Sequence, residues 1–580
     1  MIHSLPPGLI MVLGALLLPF LGRKLSAWGA LAFSLASLSI FLTGQYEHPV
    51  IFELFGNQLE VVRVDRLSWI FCLVFHLAAI MASIYALHVK DTKQHVAGLI
   101  YAGSAIAASC AGDLITLFIC WELTAISSVF LIWASNSERA YRCGMRYLII
   151  QVISGVLLLS GAIIQFNETG SLGFNNFLGF EGPGRQGSIL DLGLGPQLIL
   201  LAFGIKGAFP FLHNWLQDSY PEATPTGTVY LSAFTTKLAI YSLARGFAGL
   251  EELIWIGCAM TLFPIVFAVI ENDLRRVLAY SLNNQLGFMV VGIGIGTELA
   301  LNGTAAHAFC HIIYKALLFM SMGAVLHRVG TTKATELGGL HKSMPLTTVF
   351  CMIGAGAISG FPLLSGFISK SMIISAAGEQ HLFVVWTILL IASAGVMEHS
   401  GIKIPFFAFF AHDSGKRPKE APWNMLLAMS IGAFLCVALG FAYHWLYDIL
   451  PYEMGDHPYQ PYTSGHVIMQ LQLLLFAALA FVVLMKSNLY PAEIRSTNLD
   501  TDWIYRKLLP WIVTGIGMGI ALIDGAIRKM FLAMLTRLLD WFKQIFSQKG
   551  ALGSTWTTSV MAFWAAILLG AFLVLYYFSS

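Results

Sequence analysis

Apolar runs follow one another along nearly the whole chain. They lie at residues 5–22, 25–44, 67–88, 95–111, 113–134, 143–165 and 197–209, then at 226–248, 252–271, 274–296, 304–326, 346–376, 382–411, 424–448 and 466–486. Most approach the roughly 20 residues that a helix needs to cross the hydrocarbon of a bilayer. They are too long and too unalternating for the strands of a membrane β-barrel. Of the 580 residues 57% are hydrophobic and 11% charged, whereas soluble domains average about a quarter charged. Cores of ordinary surface-to-volume ratio could not hide that surplus, so the solvent for most of this chain is lipid. The expected fold is all-α, a polytopic membrane protein of about 14 to 17 transmembrane helices.

Charge placement orients those helices. Laid alternately on two sides, the connections put Arg23, Lys24, Lys90, Lys93, Arg139, Arg142, Arg146, Arg275 and Arg276 on one side, with Arg328, Lys333, Lys342, Lys416, Arg417, Lys419, Lys486 and Arg495. The other side holds mainly Arg63, Arg66, Arg185 and Arg245, with acidic Glu168, Asp191, Glu298, Glu379, Asp448 and Asp456. By the positive-inside rule the N-terminus lies outside the cytoplasm. It lacks the basic segment of a cleaved signal peptide and should stay on as a first span. A net charge of +2 without a basic block excludes nucleic acid as a partner. All eight cysteines lie in apolar runs without C-x-x-C spacing, so no disulfide, iron–sulfur cluster or haem attachment is expected.

Two segments repeat. Ala208-Phe209-Pro210-Phe211-Leu212 recurs as Gly360-Phe361-Pro362-Leu363-Leu364, and Asp113-Leu114 at the head of one span recurs as Asp273-Leu274 at the head of another. Five spans per repeat, an odd number, inverts the second copy, as in many transporters. The expected organisation is N-terminal helices and a loop over 1–94, a first five-helix repeat over 95–250 and its inverted copy over 251–411. Further helices follow over 412–500, and a C-terminal extension over 501–580. In that extension a short span from about Leu508 to Ile523 would precede a basic amphipathic stretch carrying Arg528, Lys529, Arg537 and Lys543. A last span would run from about Trp556 to Phe578. Pro210 and Pro362 should break their helices, exposing backbone that lipid cannot satisfy but a water-lined cavity can.

Ionisable groups inside spans cost several kcal/mol and need a reason. Glu122, Lys206, Lys237, Lys315 and Lys370 sit inside apolar runs, and His307, His311 and Lys315 recur at i, i+4 and i+8, on one helix face. Burial shifts Lys and Glu toward the range where protons exchange, and His titrates near neutrality, so the set suits a proton relay. Plainer readings stand beside it. Glu122 and Lys206 could form a static ion pair, His307 and His311 could hold a metal, although no third ligand is suggested, and Lys370 could snorkel to the headgroups. Glu398 and Lys403 read as ordinary boundary charges. Glycines at 292, 294 and 296 and at 515, 517 and 519 read as close helix packing rather than a nucleotide loop.

At these residues the chain resembles the antiporter-like subunits shared by respiratory complex I and the multisubunit Mrp-type cation/proton antiporters, over roughly residues 60 to 415. The motifs are WELTAISS at Trp121–Ser128, K-x6-H-x-W-L at Lys206–Leu216, DLRRVLAYS at Asp273–Ser281, H-x3-H-x3-KALLF from His307, and GFPLLSGFISK ending at Lys370. The resemblance implies a fourteen-helix fold of inverted repeats. It implies that Glu122 is the glutamate of the fifth helix, Lys206 and Lys237 the lysines of the broken seventh and the eighth, Lys315 that of the eleventh, and Lys370 the terminal lysine of the broken twelfth. Two positions depart: Gln217 stands where the family usually has proline, and Lys370 where one branch has glutamate. WELTAISS looks like the A-type Mrp subunit, and the segment around Lys237 like the D-type, so the chain is read as D-like with a C-terminal extension.

The function expected is that of a proton-translocating, antiporter-like subunit within a multisubunit complex. It would sit in a bacterial or archaeal cytoplasmic membrane and move protons and a monovalent cation such as sodium. The alternatives are the membrane arm of a complex I-like or hydrogenase-like redox enzyme, and the energising subunit of an inorganic-carbon uptake complex. No catalytic site, metal or cofactor of its own is expected.

Overall fold

The computed structural model describes residues 6–54, 56–180, 182–454, 458–491, 494 and 498–579. Arg495 and Asp456, counted above among the loop charges, lie outside them. The chain divides into two units, Met1–Asn498 and Leu499–Ser580. Among the described residues eleven helices are long and apolar enough to cross a membrane, and the protein is an integral, multi-pass, all-α membrane protein.

The first unit opens with α1 (Leu9–Leu17) and α2 (Gly22–Thr43). Gly22 at φ 73° reverses the chain between them, and a Cβ on Gly14 would meet the Phe33 ring, so the two pack as a hairpin. A β-ribbon follows, β1 (Val50–Leu54) antiparallel to β2 (Asn57–Val62), then α3 (Arg66–Tyr85). The next five spans are α4 (Thr92–Ser109), α5 (Leu114–Trp133), α6 (Glu138–Thr169), a broken helix α7 (Leu194–Lys206) with α8 (Asn214–Ser219), and another, α9 (Gly227–Ala233) with α10 (Thr235–Gly246). Five more repeat the pattern: α11 (Glu252–Ile270), α12 (Leu274–Ile295), α13 (Glu298–Val329), the broken pair α14 (Pro345–Ser359) and α15 (Ser365–Glu379), and α16 (Phe383–Val396). This last helix runs on through π-helical turns at Met397–Ile402 and Phe406–Phe410 around α17 (Lys403–Pro405). The unit closes with α18 (Trp423–Phe441), α19 (Tyr443–Tyr447) and α20 (Ser464–Lys486).

Local chemistry sets these boundaries. Asp113 caps α5 through the N–H groups of Ile115 and Thr116, and Asp273 caps α12 through those of Arg275 and Arg276, each cap contributing about 1 kcal/mol. In each set of five spans the third helix has 32 residues, starts on a hydroxyl cap (Ser137, Thr297) and ends on a left-handed glycine (Gly170, Gly330). The equivalent caps sit at opposite ends of the unit. Leu114 N–H donates to Leu172 O near the β-ribbon, where Gly112 N–H donates to Glu60 O. Leu274 N–H donates to Thr332 O among the basic loops, where Lys416 Nζ reaches Glu336 O and Arg139 pairs with Glu222 at 2.8 Å. The second five-helix set is therefore inverted, and the connections sort into a ribbon end and a basic-loop end.

Several expectations need correction. Arg275 is not a loop charge. It is buried, and its guanidinium donates to Pro221 O at 2.8 Å, Ala223 O at 2.9 Å and Thr228 Oγ1, tying α12 to the turn that carries the chain from α8 to α9. Lys403 is buried too, and donates to the carbonyls of Ala268, Val269 and Glu271 at the end of α11. Gly292 and Gly294 do pack closely, against Thr304 and Ile254, but Gly296 is the left-handed cap of α12. Gly515, Gly517 and Gly519 have no atom within 4 Å of an added Cβ. In the second unit, α21 (Leu509–Ile545) runs unbroken for 37 residues before α22 (Thr558–Ser579). The expected short span and amphipathic stretch are thus one helix of about 55 Å, because no proline follows Pro510 to divide it.

Candidate functional site

Prolines create the site. After Lys206, Ala208 and Phe211 take positive φ around Pro210; after Ser359, Gly360 and Leu363 do so around Pro362. The two breaks match bond for bond: Phe209 N–H donates to Gly204 O and Phe361 N–H to Gly356 O, each at 3.0 Å. Each break ends a half-helix inside the unit and leaves its last carbonyls seeking donors. Trp215 Nε1 donates to Ile205 O at 2.9 Å in the first break, and Lys370 Nζ to Ile358 O at 2.9 Å in the second. Lys370 is 2% exposed, so it does not snorkel to a surface.

Lys206, in the last turn of α7, reaches α5. Its Nζ donates to Trp121 O at 2.7 Å and Thr124 Oγ1 at 3.0 Å, and stands 4.2 Å from the centre of the Trp121 ring. That ring is fixed in turn by a 3.0 Å hydrogen bond from Nε1 to Ser154 Oγ. Glu122 is the next residue on α5, yet no ion pair joins it to Lys206 among the described residues; its Oε1 is buried without a hydrogen-bond partner. A Cβ on Gly155 of α6 would overlap that carboxylate. Gly155 therefore makes the room in which Glu122 sits beside, but not on, the lysine, and the static ion pair considered from sequence is not formed. Gly155→Ala should displace the carboxylate and lower proton flux while the complex still assembles, because misplacing a reacting group by about 1 Å can cost about 10²-fold. Flux in proteoliposomes against assembly on a native gel measures this; unchanged flux would show that the glycine only packs.

Lys237 follows a break that sequence reading did not find. At Phe234 the helix stops and restarts, and Thr235 N–H turns to the Tyr101 hydroxyl at 2.9 Å. Lys237 Nζ donates to Ser232 O at 2.7 Å and Thr236 Oγ1 at 3.2 Å and is fully buried.

On α13, His307, His311 and Lys315 are all fully buried. His307 Nδ1 lies 3.0 Å from Ser369 Oγ, beside Lys370 on α15, and its Nε2 lies 3.5 Å from the Tyr314 hydroxyl. Tyr314 donates to Gln285 Oε1 at 3.1 Å. Neither nitrogen of His311 and no hydrogen of Lys315 Nζ has a protein partner; buried polar atoms of this kind are those that water bridges. Lys237 is within electrostatic reach of His307, His311 and Lys315, and Lys370 of both histidines. The expected residues of the second half therefore converge with Lys237 on one region. No group of three His, Cys, Asp or Glu residues that could hold a metal gathers among the described residues.

Other buried polar residues escaped the sequence reading. Asn283, Asn284 and Gln285 are fully buried on α12, where Gln285 Nε2 donates to Asn284 Oδ1 at 2.6 Å. The signal was there: three consecutive amides inside an apolar run. His399 is buried in a π-helical turn, its Nδ1 2.9 Å from Ser400 Oγ, which donates to Ser281 Oγ at 2.7 Å. Such turns cluster at functional positions, but no residue pattern announced this one.

Residues 111–395 match the family model described as NADH:quinone oxidoreductase/Mrp antiporter, TM. A D-type Na(+)/H(+) antiporter subunit of Alkalihalophilus pseudofirmus is 30% identical over 57% of this chain and 69% of its own length. A probable K(+)/H(+) antiporter subunit of Rhizobium meliloti, of the fused A/B type, is also 30% identical, over 65% of this chain, which spans only 40% of that relative. The Mrp complex from Dietzia sp. DQ12-45-1b contains a chain of the same fold, with a TM-score of 0.73 at 21% identity, covering 99% of this chain and 63% of that one.

Proposed function

The chain belongs to the NADH:quinone oxidoreductase/Mrp antiporter transmembrane family, and from that premise we propose that it is a proton-translocating, antiporter-like subunit of a multisubunit membrane complex. The observation that carries this reading is the set of buried titratable side chains at both helix breaks and between them: Glu122, Lys206, Lys237, His307, His311, Lys315 and Lys370. Charges this deep in lipid-facing architecture are costly and mark ion pathways. Glu122 and Lys206 form the first element, adjacent but unpaired, so that a change in their separation changes the hold on the Lys206 proton. Lys237 passes that change to the stripe on α13, and Lys370 exchanges with one bulk phase. The test is purification with native partners and measurement of proton flux driven by a sodium or potassium gradient in proteoliposomes; an intact complex that passes no protons would end the proposal.

The family description names redox complexes as well as antiporters, which favours a second reading as the proton-pumping membrane arm of an oxidoreductase. Co-purifying subunits carrying flavin or iron–sulfur clusters would select it.

The chain would lie in a bacterial or archaeal cytoplasmic membrane with its basic-loop end inside and its N-terminus outside. Single cysteines near Arg142 and Lys416 should then resist an impermeant thiol reagent applied to whole cells, and one near Asp191 should react. The opposite labelling pattern would reverse the topology.

A further inference from the structure

Two adjoining cavities open at the ribbon end of the first unit, between α3, α10 and α13. The outer one, about 290 Å³, is lined by Asp65, Arg66, Asn176 and Arg245 among others. The inner one, about 30 Å³, shares Leu67, Ala244, Leu301, Pro451 and Tyr452 with it and ends on Phe71, Thr304 and Ala305. That inner space holds a water or two, since about 10–15 Å³ suffices for one, but not a hydrated metal cation. Its floor is near the relay. Thr304 stands three residues before His307 on α13, about 4.5 Å along the axis, and Ala244 stands seven residues after Lys237 on α10, about 10.5 Å.

A closed set of hydrogen bonds crosses the rim from α10 to the start of α3. Arg245 Nη2 donates to both oxygens of Asp65, at 2.7 and 2.8 Å, and to Ser68 Oγ at 3.0 Å. Its Nε donates to the Tyr241 hydroxyl at 2.8 Å, itself 3.2 Å from Ser68 Oγ. Burial works against the Asp65 charge, but Arg245 and the Ser68 N–H outweigh it and hold the carboxyl below its usual range. The bidentate pair therefore stays charged at neutral pH.

We propose that this funnel is the aqueous access through which protons pass between the bulk phase at the ribbon end and His307, and that the Arg245–Asp65 pair is the latch that sets its width. The proposal rests on the proton-translocating reading above and deepens it by giving the second half of the relay a physical mouth. Polar, charged walls at the rim attract water, and the constriction among Leu67, Leu301 and Ala305 admits water while excluding larger solutes. Protons can then hop along bridging water to the histidine.

Cysteine accessibility in the intact complex, in sealed membranes, tests this without measuring transport. Glu53→Cys on the exposed β-ribbon identifies the side of addition. From that side, methanethiosulfonate ethyltrimethylammonium should modify Leu301→Cys, and silver ion should protect Ala305→Cys from later maleimide capture in denaturant. Ala306→Cys, equally deep but lining neither cavity and reached only by local opening, should react at least about tenfold more slowly. Asp65→Asn, or Arg245→Lys if the first variant fails to assemble, should speed modification of Leu301→Cys several-fold, since neither keeps the bidentate pair. Rates at Leu301→Cys and Ala305→Cys no faster than at Ala306→Cys would overturn the funnel. Equal rates with and without the pair would overturn the latch. Wild-type flux, measured separately, reports on the transport reading alone.

Discussion

Lys206→Met is expected to reduce proton flux to background in proteoliposomes while leaving the complex assembled. A positioned proton carrier contributes about 10²- to 10⁴-fold, and no second group occupies its place beside Trp121 O and Thr124 Oγ1. Assembly should survive because methionine fills a similar volume, and Thr124 Oγ1 keeps its bond to Trp121 O at 2.7 Å. Lys206→Arg should fail as well, for two independent reasons. A guanidinium does not give up its proton in proteins, and its planar fork does not fit a niche that is 0% exposed and roofed by an indole ring. Glu122→Gln should give the same loss by another route: the amide keeps the shape of the side chain next to Gly155 but removes the charge that Lys206 senses. If Lys206→Met and Glu122→Gln both retain wild-type flux, the first element of the relay is misassigned.

Lys370→Ala is expected to stop flux with a second, distinguishing signature. The lysine does two things: it exchanges protons, and it satisfies Ile358 O at the broken end of α14. Alanine removes both, so some loss of stability accompanies the loss of flux; a buried acceptor left unsatisfied costs about 1–3 kcal/mol. Lys370→Met removes the proton carrier and the donor but keeps the packing against Phe288, whose ring lies 5.3 Å from Nζ, and should be equally inactive. Lys370→Glu separates the roles. A carboxyl also binds and releases protons, and in its protonated form it can donate to Ile358 O, so this variant should keep part of the flux. Melting of the purified complex, followed beside flux, checks the assignment: wild-type flux in Lys370→Met would leave the lysine with a purely structural role.

Both tests rest on residues that are legible in the sequence alone. Hydropathy is a property of local sequence, so the lipid solvent, the order of spans and the presence of Glu122, Lys206, Lys237, His307, His311, Lys315 and Lys370 inside them could be read directly. The prolines at 210 and 362 were equally plain, because a missing N–H breaks a helix wherever it falls. The i, i+4, i+8 spacing on α13 fixed a shared face, since that much follows from the helix alone. The loop charges separated the two ends, and the repeat of Asp-Leu and Phe-Pro segments announced the inversion.

What the sequence could not supply is which face meets which. Successive residues on a helix point about 100° apart, so Trp121 and Glu122 look in different directions, and only the rotation of α5 against α6 and α7 decides that Lys206 meets the first residue's carbonyl while the glutamate settles beside Gly155. Arg275 and Lys403 were counted by their positions near span ends. Packing decides otherwise, because helix ends leave carbonyls unpaired and a long cation from a neighbouring element can reach them. The break at Phe234 and the π-helical turn around His399 have no residue signature, since both arise from backbone groups finding better partners across helices than along them. Sequence thus determined which charges enter the membrane, because the cost of burying them is set by the solvent; tertiary structure alone decided how they are held, because that is set by the angles between helices.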